Sequence, residues 1–100
     1  MIDWGLIKGF EWDDGNARKN ADKHSVSQAE AEQLFFNEPL LMVPDLKHSG
    51  REGRIHALGQ TDGGRLLHTT FTLRQQGTKI RVISARNMSR KERTRYDEQT

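Results

Sequence analysis

The chain has 100 residues, of which 33% are hydrophobic and 30% are charged, with a formal net charge of only +2. This length favours one domain with a modest core, and the absence of cysteine excludes disulfides, thiol catalysis and cysteine-based zinc sites. No segment approaches the roughly 18 apolar residues of a membrane span and the N-terminus lacks the apolar run of a signal peptide, so we expect a cytoplasmic protein without a membrane partner.

The first quarter of the chain predicts a short strand and a helix. Residues 1–9 are interpreted as an N-terminal extension, and the two aromatic residues in 10–12 indicate a short strand. Asp13 or Asp14 can cap a helix over 15–24, whose acidic start and basic end match the helix dipole. Small alanines on one face of this helix would let it pack closely on another element.

A second helix is predicted over 28–36. Ser27 and Glu30 have the spacing of a capping box, in which each side chain accepts a hydrogen bond from the backbone N–H of the other residue. The apolar residues that follow form one stripe along the helix. Pro39 then ends the helical pattern, because proline disrupts the helical hydrogen bonds.

After Pro39 the pattern changes to strands. Apolar runs and alternating segments, joined by short turns that contain glycine, predict an antiparallel meander. The predicted strands cover 40–43, 54–60, 66–73 and 79–85. A second capping box, from Ser89 to Glu92, begins a C-terminal helix. The predicted fold class is therefore α+β, with two N-terminal helices packed on one face of a curved antiparallel sheet, followed by a C-terminal helix.

Positive charge is concentrated at the C-terminal end, where residues 81–96 contain six arginines or lysines and one glutamate. Such a run is commonly a solvated helix end. Here, however, Arg81 lies within an apolar strand and Arg86 lies at a strand-to-helix corner, so both guanidinium groups are held at fixed points. Fixed guanidinium groups suit bidentate binding of phosphate, and a sheet face without helices is open to single-stranded nucleic acid. We therefore predict a nucleic-acid-binding site.

Short motifs occur in a fixed order from residue 10 to residue 96. They are FEWD at 10–13, KHxVS at 23–27, FF at 35–36, Arg54 followed by Gly59, RLL at 65–67, IRVISAR at 80–86 and RxERxxY at 90–96. In this order and spacing the chain resembles the BrnT family of toxins from bacterial type II toxin–antitoxin systems. The resemblance implies a single RelE-like toxin domain over residues 1–100, and a ribonuclease that inhibits translation.

The same resemblance implies partners. BrnT proteins are described as neutralised by a BrnA antitoxin that has a ribbon-helix-helix DNA-binding domain, and the complex represses its own operon. We therefore expect the chain to bind a BrnA-like antitoxin and an RNA substrate, and to reach operator DNA only through the antitoxin. No cofactor is expected.

By analogy with RelE-type toxins, which use arginine, lysine and tyrosine, the resemblance indicates four candidate catalytic residues. Arg54 and Arg86 would stabilise the phosphate and the transition state, Tyr96 would stack on a base or transfer a proton, and His24 would act as acid or base because an unperturbed histidine titrates near physiological pH. Each has a structural alternative, which for Arg86 is the role of an ion-pair partner. His24 would instead cap a helix or fill the core, Tyr96 would pack on the sheet, and Arg54 would form an ion pair at a strand end.

Other charged residues and histidines are given lesser roles. The residues assigned to RNA contact are Lys23, Arg81, Arg90 and Arg93. A metal-dependent mechanism is not expected, since the acidic residues show neither an HExxH nor a D-x-D pattern. His56 and His68 lie on neighbouring predicted strands and could face each other. We interpret both as structural, because no group near them in the sequence clearly tunes them.

A second interpretation belongs to another class of protein: a non-catalytic module that binds nucleic acid or protein through the same basic corner. Both interpretations predict salt-dependent binding, but only the toxin predicts RNA cleavage and growth arrest. A neighbouring open reading frame that encodes a small acidic or ribbon-helix-helix protein would favour the toxin.

Overall fold

The computed structural model describes residues 2–12, 25–45, 47 and 53–100 of the chain. The strands in this part are β1 (Gly9–Glu11), β2 (Leu41–Asp45), β3 (Arg54–Gln60), β4 (Leu66–Arg74) and β5 (Lys79–Asn87). The helices are α1 (Gln28–Gln33) and α2 (Arg90–Gln99), with 3-10 turns at Trp4–Leu6 and Leu34–Phe36. The helix predicted over 15–24 lies outside the described residues.

The sheet is mixed, in the order β1-β5-β4-β3-β2. Strands β2 to β5 form the predicted antiparallel meander. The prediction of a wholly antiparallel sheet is wrong at one edge, where β1 pairs with β5 in parallel and Phe10 lies opposite Ile80. This register brings Phe10 to the core, with its ring centroid 5.5 Å from that of Phe35. A parallel pair needs a long connection, which the chain between β1 and β5 supplies.

The prediction of α1 is confirmed by its capping box. The Ser27 hydroxyl accepts from the Glu30 N–H at 3.1 Å, and the Glu30 carboxylate accepts from the Ser27 N–H at 3.2 Å. The α-helix ends at Gln33 and tightens into the 3-10 turn Leu34–Phe36, so the predicted helical segment is right in extent but not uniform in geometry. Leu34 packs over Gly59 of β3, where an added Cβ would lie 3.2 Å from the Leu34 Cγ.

The main hydrophobic core lies between α1 and one face of the sheet. Its buried members are Val26, Ala31, Leu34, Ala57, Leu67, Phe71, Ile80, Val82 and Ala85. Phe35 extends this core, since its ring lies edge-on to that of Phe71 with the centroids 5.0 Å apart. The packing ties α1 to the strands and leaves the opposite face of the sheet outside this core.

A β-bulge decides which side chains of β5 face the core. The register between β4 and β5 shifts by one residue, so that Ile83 is inserted on the β5 side. Side chains alternate along a regular strand, so residues 81 and 86, an odd number apart, would point to opposite faces. The bulge places both away from the core, with Arg81 opposite Thr72 and Arg86 opposite His68.

Helix α2, for which the sequence predicted no particular face, lies on the sheet face opposite α1. Its capping box is as predicted, with the Ser89 hydroxyl 3.2 Å from the Glu92 N–H and the Glu92 carboxylate 2.8 Å from the Ser89 N–H. Tyr96 packs with Leu58 and Met88 in a second, smaller core, which holds α2 over one end of this face. No helix within the described ranges is long and apolar enough to span a membrane.

Candidate functional site

The face of the sheet opposite the main core, which we call the open face, is polar and rich in cations. The strand registers place the side chains of Arg54, His56, His68, Arg74, Lys79, Arg81 and Arg86 on it. Its acidic side chains are Glu11 and Asp45 from the strands, joined by Glu92 from α2. Clustered cations on a surface that α2 covers only at one end favour an anionic ligand.

Arg86 and Glu92 form a bidentate ion pair where β5 meets α2. Arg86 Nη1 and Nη2 donate to the two carboxylate oxygens of Glu92 at 2.8 and 3.0 Å. Nη1 also donates to the Asn87 carbonyl oxygen at 3.1 Å. A guanidinium group has five N–H bonds, so two of them are left for a ligand in the part of the chain that the structure describes. The Arg86 side chain is 39% exposed, which keeps that edge accessible.

Glu92 connects this ion pair to the helix cap. Burial raises the pKa of Glu92, but the hydrogen bonds from Arg86 and from the Ser89 N–H outweigh it and lower this pKa to about 2. The hydrogen bond with Glu92 in turn raises the pKa of Arg86. Both groups are therefore charged at neutral pH, and the Arg86 guanidinium is held in one orientation.

Two histidines lie side by side on the open face, with ring centroids 4.9 Å apart, as the prediction that they could face each other implies. Both nitrogens of His56 are hydrogen-bonded, Nδ1 with Thr70 Oγ1 at 2.9 Å and Nε2 with Asp45 Oδ2 at 3.0 Å. His68 differs, because its Nε2 lies 3.7 Å from the Glu92 carboxylate, beyond hydrogen-bonding distance. Its Nδ1 is buried and has no hydrogen-bond partner among the described residues.

The surroundings of His68 also shift the pKa of its imidazole. Burial lowers the pKa of His68, and the Glu92 carboxylate opposes this effect. The nearby positive charge of Arg86 and the ring of His56 lower this pKa further. The net shift is downward, so the His68 imidazole is mainly neutral at pH 7 and can accept a proton.

These groups line a cleft of about 380 Å³ between the sheet and α2. Its walls are formed by Val43, His56, Leu58, His68, Arg86, Glu92 and Arg95. A depression of about 720 Å³, whose walls include Trp4 and Phe36, contains none of these charged side chains. Another, of about 820 Å³, lies along α2 and shares only Glu92 and Arg95 with the cleft. Within the described ranges, no three His, Asp or Glu side chains are grouped so that they could hold a metal ion. The cleft beside Arg86 is therefore our candidate functional site.

The structure separates the residues that were predicted to be catalytic. Arg86 lines the cleft. Arg54 lies on the same face, two strands away and four residues further along β3 than Leu58, which is about 13 Å in the strand direction alone. Tyr96 is only 4% exposed, and its hydroxyl donates to the Pro39 carbonyl oxygen at 2.6 Å. Burial raises the pKa of Tyr96, which keeps the phenol protonated. This arrangement favours the packing alternative for Tyr96. The predicted site residue His24 lies outside the described residues.

The predicted RNA-contact residues are likewise spread over the surface. Arg81 lies on the open face, where its Nη1 donates to the Glu11 carboxylate at 3.3 Å. Arg90 and Arg93 are exposed on α2 and do not line the cleft. Lys23 lies outside the described residues. The roles of these four residues stay predictions.

Sequence reasoning missed three groups of the cleft: His68, Glu92 and Arg95. The alternation of β4 puts His68 on the polar face, but its neighbours come from β3, β5 and α2 and are distant in sequence. Glu92 was identified as a capping residue, and the same side chain also holds Arg86. The spacing of six residues between Arg86 and Glu92, across a strand-to-helix corner, was the available signal.

Comparison with known proteins agrees with the motif resemblance. No curated protein matches the chain significantly. The sequence model of one family, described as "Ribonuclease toxin, BrnT, of type II toxin-antitoxin system", matches residues 12–92. This span contains β2 to β5 and the cleft residues up to Glu92. The chain therefore belongs to the BrnT family of ribonuclease toxins of type II toxin–antitoxin systems.

Proposed function

We propose that this chain is a metal-independent endoribonuclease that inhibits translation in the cytoplasm, with RNA lying along the open face and the scissile phosphate in the cleft beside Arg86. The observation that supports this most directly is the fixed Arg86 guanidinium, which Glu92 orients while two N–H bonds are left for a ligand. A pre-oriented guanidinium can donate two parallel hydrogen bonds to a phosphate.

Cleavage of RNA at its 2′-hydroxyl builds negative charge on the phosphorus-bound oxygens in the transition state. Groups already aimed at these oxygens stabilise that charge without reorganising during the reaction. Arg86 and Arg95 both line the cleft and would supply this stabilisation. Arg54 and Arg81 lie elsewhere on the same face and would bind neighbouring phosphates of the strand.

The partner we propose is a BrnA-like antitoxin with a ribbon-helix-helix domain. It would neutralise the toxin by covering part of the basic corner formed by the end of β5 and the start of α2, and so exclude RNA from the cleft. Operator DNA would be bound through the antitoxin. The membership of a type II toxin–antitoxin family supports a protein antitoxin as partner.

The first experiment expresses the chain with and without the neighbouring reading frame and follows growth and RNA integrity. We expect growth arrest and cleaved RNA when the chain is expressed alone, and relief of both by the neighbour's product. The purified chain is then incubated with a defined mRNA, alone with EDTA or on translating bacterial ribosomes. Binding without cleavage under all of these conditions would instead support the non-catalytic module.

The second experiment tests Arg86. Arg86→Ala should lower the cleavage rate by about 10²-fold or more, as the loss of one transition-state donor typically does. Arg86→Lys should restore little, because an ammonium group lacks the planar fork. Lys91→Ala is the control, since Lys91 is exposed on α2 and lies outside the cleft. Thermal melts accompany each variant, because Arg86→Ala also breaks the pair with Glu92. An Arg86→Ala protein that cleaves like the parent, or that is inactive only because it is unfolded, would contradict the proposed role.

A further inference from the structure

The two histidines of the cleft, His56 and His68, differ in the hydrogen bonds that their ring nitrogens form. His56 is tied on both ring nitrogens, by Thr70 and by Asp45, which is the usual state of a structural histidine. Neither nitrogen of His68 has a hydrogen-bond partner on another described residue. The His68 side chain is 11% exposed and has unused hydrogen-bonding capacity in a cleft with two guanidinium groups, which calls for an explanation beyond packing.

We propose that His68 is a further catalytic residue of this cleft, the general base that removes the proton from the 2′-hydroxyl of the RNA. This role rests on the proposed ribonuclease function and adds to it the group that activates the nucleophile. Arg86 and Arg95 hold the phosphate, and His68 lies beside them on the floor of the same cleft.

The burial of the ring identifies the nitrogen that would exchange the proton. Nδ1 is enclosed by protein atoms, whereas Nε2 faces α2 across 3.7 Å to the Glu92 carboxylate. Nε2 is therefore the atom that a bound ribose can approach. The Glu92 carboxylate lies 3.7 Å from Nε2, and its negative charge favours the imidazolium that forms when Nε2 takes up the proton.

Charged and titratable groups surround His68 on the neighbouring elements. Glu92 and Arg95 face it from α2, Arg86 faces it from β5, and His56 faces it from β3. Asp45 of β2 lies behind His56 and is hydrogen-bonded to it. Burial and the positive charge of Arg86 favour the neutral form of the free base, and Glu92 stabilises the protonated form once it has formed.

In the proposed step the RNA is cleaved by its own 2′-hydroxyl. Nε2 of His68 takes the proton of the 2′-hydroxyl while the 2′-oxygen forms a bond to phosphorus and the bond from phosphorus to the 5′-oxygen breaks. The 5′-oxygen leaves with a proton from water, and His68 later returns its proton to solvent. The products are a 2′,3′-cyclic phosphate and a 5′-hydroxyl, so neither an oxidant nor a metal-bound water enters the step. An RNA with a 2′-deoxy nucleotide at the cleavage position should therefore not be cleaved.

The test measures single-turnover cleavage of the mRNA that the parent cleaves, as a function of pH. His68→Gln keeps a polar side chain of similar size but no base, and should lower the rate by about 10²–10⁴-fold, the usual contribution of a general base. The parent's rate should rise with pH and level off above a pKa below about 6.5, and His68→Gln should lack this rise. Added imidazole should partly restore cleavage by His68→Ala, and binding of 2′-deoxy RNA should change little in either variant.

Several outcomes would overturn the proposal. His68→Gln that cleaves like the parent, while Arg86→Ala does not, leaves the ribonuclease proposal intact and removes His68 from the chemistry. A slow His68→Gln that keeps the pH rise, with no imidazole rescue of His68→Ala, makes His68 a structural residue. If both variants unfold, the pH profile of the parent protein is the test. A cleavage rate that shows no titration below about pH 6.5 contradicts a histidine base. A parent that cleaves no RNA overturns this inference together with the proposed function.

Discussion

Replacing Glu92 with glutamine should separate the electrostatic contribution of Glu92 from its shape. Glutamine keeps the length of the side chain but removes the charge that binds Arg86 and caps α2 at Ser89. The pKa of Glu92 is lowered from 4.5 to about 2, which corresponds to at most ~3.4 kcal/mol at about 1.4 kcal/mol per pKa unit. The Arg86 side chain is 39% exposed, so solvent screens the pair. We therefore expect Glu92→Gln to lower the free energy of unfolding by about 1–2 kcal/mol at pH 7.

The pH dependence of this loss gives the sharper test. The folded pKa of Glu92 is below the unfolded one, so its contribution is complete above about pH 4.5 and is lost as the pH falls toward 2. Urea unfolding of parent and variant from about pH 7 to about pH 3 should show the two stabilities converging. Glu98→Gln, exposed on the same helix, should change stability by less than about 0.5 kcal/mol. A Glu92→Gln variant as stable as the parent at pH 7, or a difference that stays constant down to pH 3, would refute the reasoning.

Three further predictions concern the scaffold, and urea unfolding measures each of them. Gly59→Ala should destabilise by about 1–3 kcal/mol, because the new Cβ would lie 3.0 Å from the Leu40 Cδ1 and 3.2 Å from the Leu34 Cγ; an unchanged midpoint of unfolding would show that these two side chains can shift. Arg65→Ala should cost about 1.5–3 kcal/mol through the lost contacts to Glu30, which lie at 3.1 and 3.2 Å, and a neutral result would make this pair a surface contact only. Gln76→Gly should stabilise by about 0.5–1 kcal/mol, because Gln76 has a φ of 59° that suits glycine, and a loss of stability would show that the side chain has a packing role.

The elements that could be predicted from the sequence are those with local causes. Both capping boxes are present with both of their hydrogen bonds, and the strand predicted over 54–60 coincides with β3. The strand predicted over 79–85 extends two residues further, to Asn87, because Asn87 still pairs with Leu67 of β4. Local hydrogen bonds and the alternation of side chains are properties of a few neighbouring residues, which is why the sequence pattern was sufficient.

The parts that could not be predicted depend on contacts between distant segments. The parallel pairing of β1 is set by the packing of Phe10, and the face chosen by α2 is set by the burial of Tyr96. The bulge at Ile83 reverses the alternation of β5, so counting residues from Arg81 would put Arg86 on the wrong face. The cleft is formed by the strand pairing, the bulge and the position of α2 together. The sequence around His68 alone could therefore not predict it.

The start of α2 links the stability of the helix to the chemistry of the cleft through one carboxylate. Glu92 accepts hydrogen bonds from Ser89 and Arg86 and lies 3.7 Å from His68. Any change that displaces α2 from the open face would therefore remove the counter-ion of Arg86 and increase the exposure of His68 in a single step. Movements of the helix cannot separate these effects. Substitutions that leave the helix in place can separate these effects. Glu92→Gln alters the charge beside both Arg86 and His68, whereas His68→Gln leaves the Arg86–Glu92 ion pair intact.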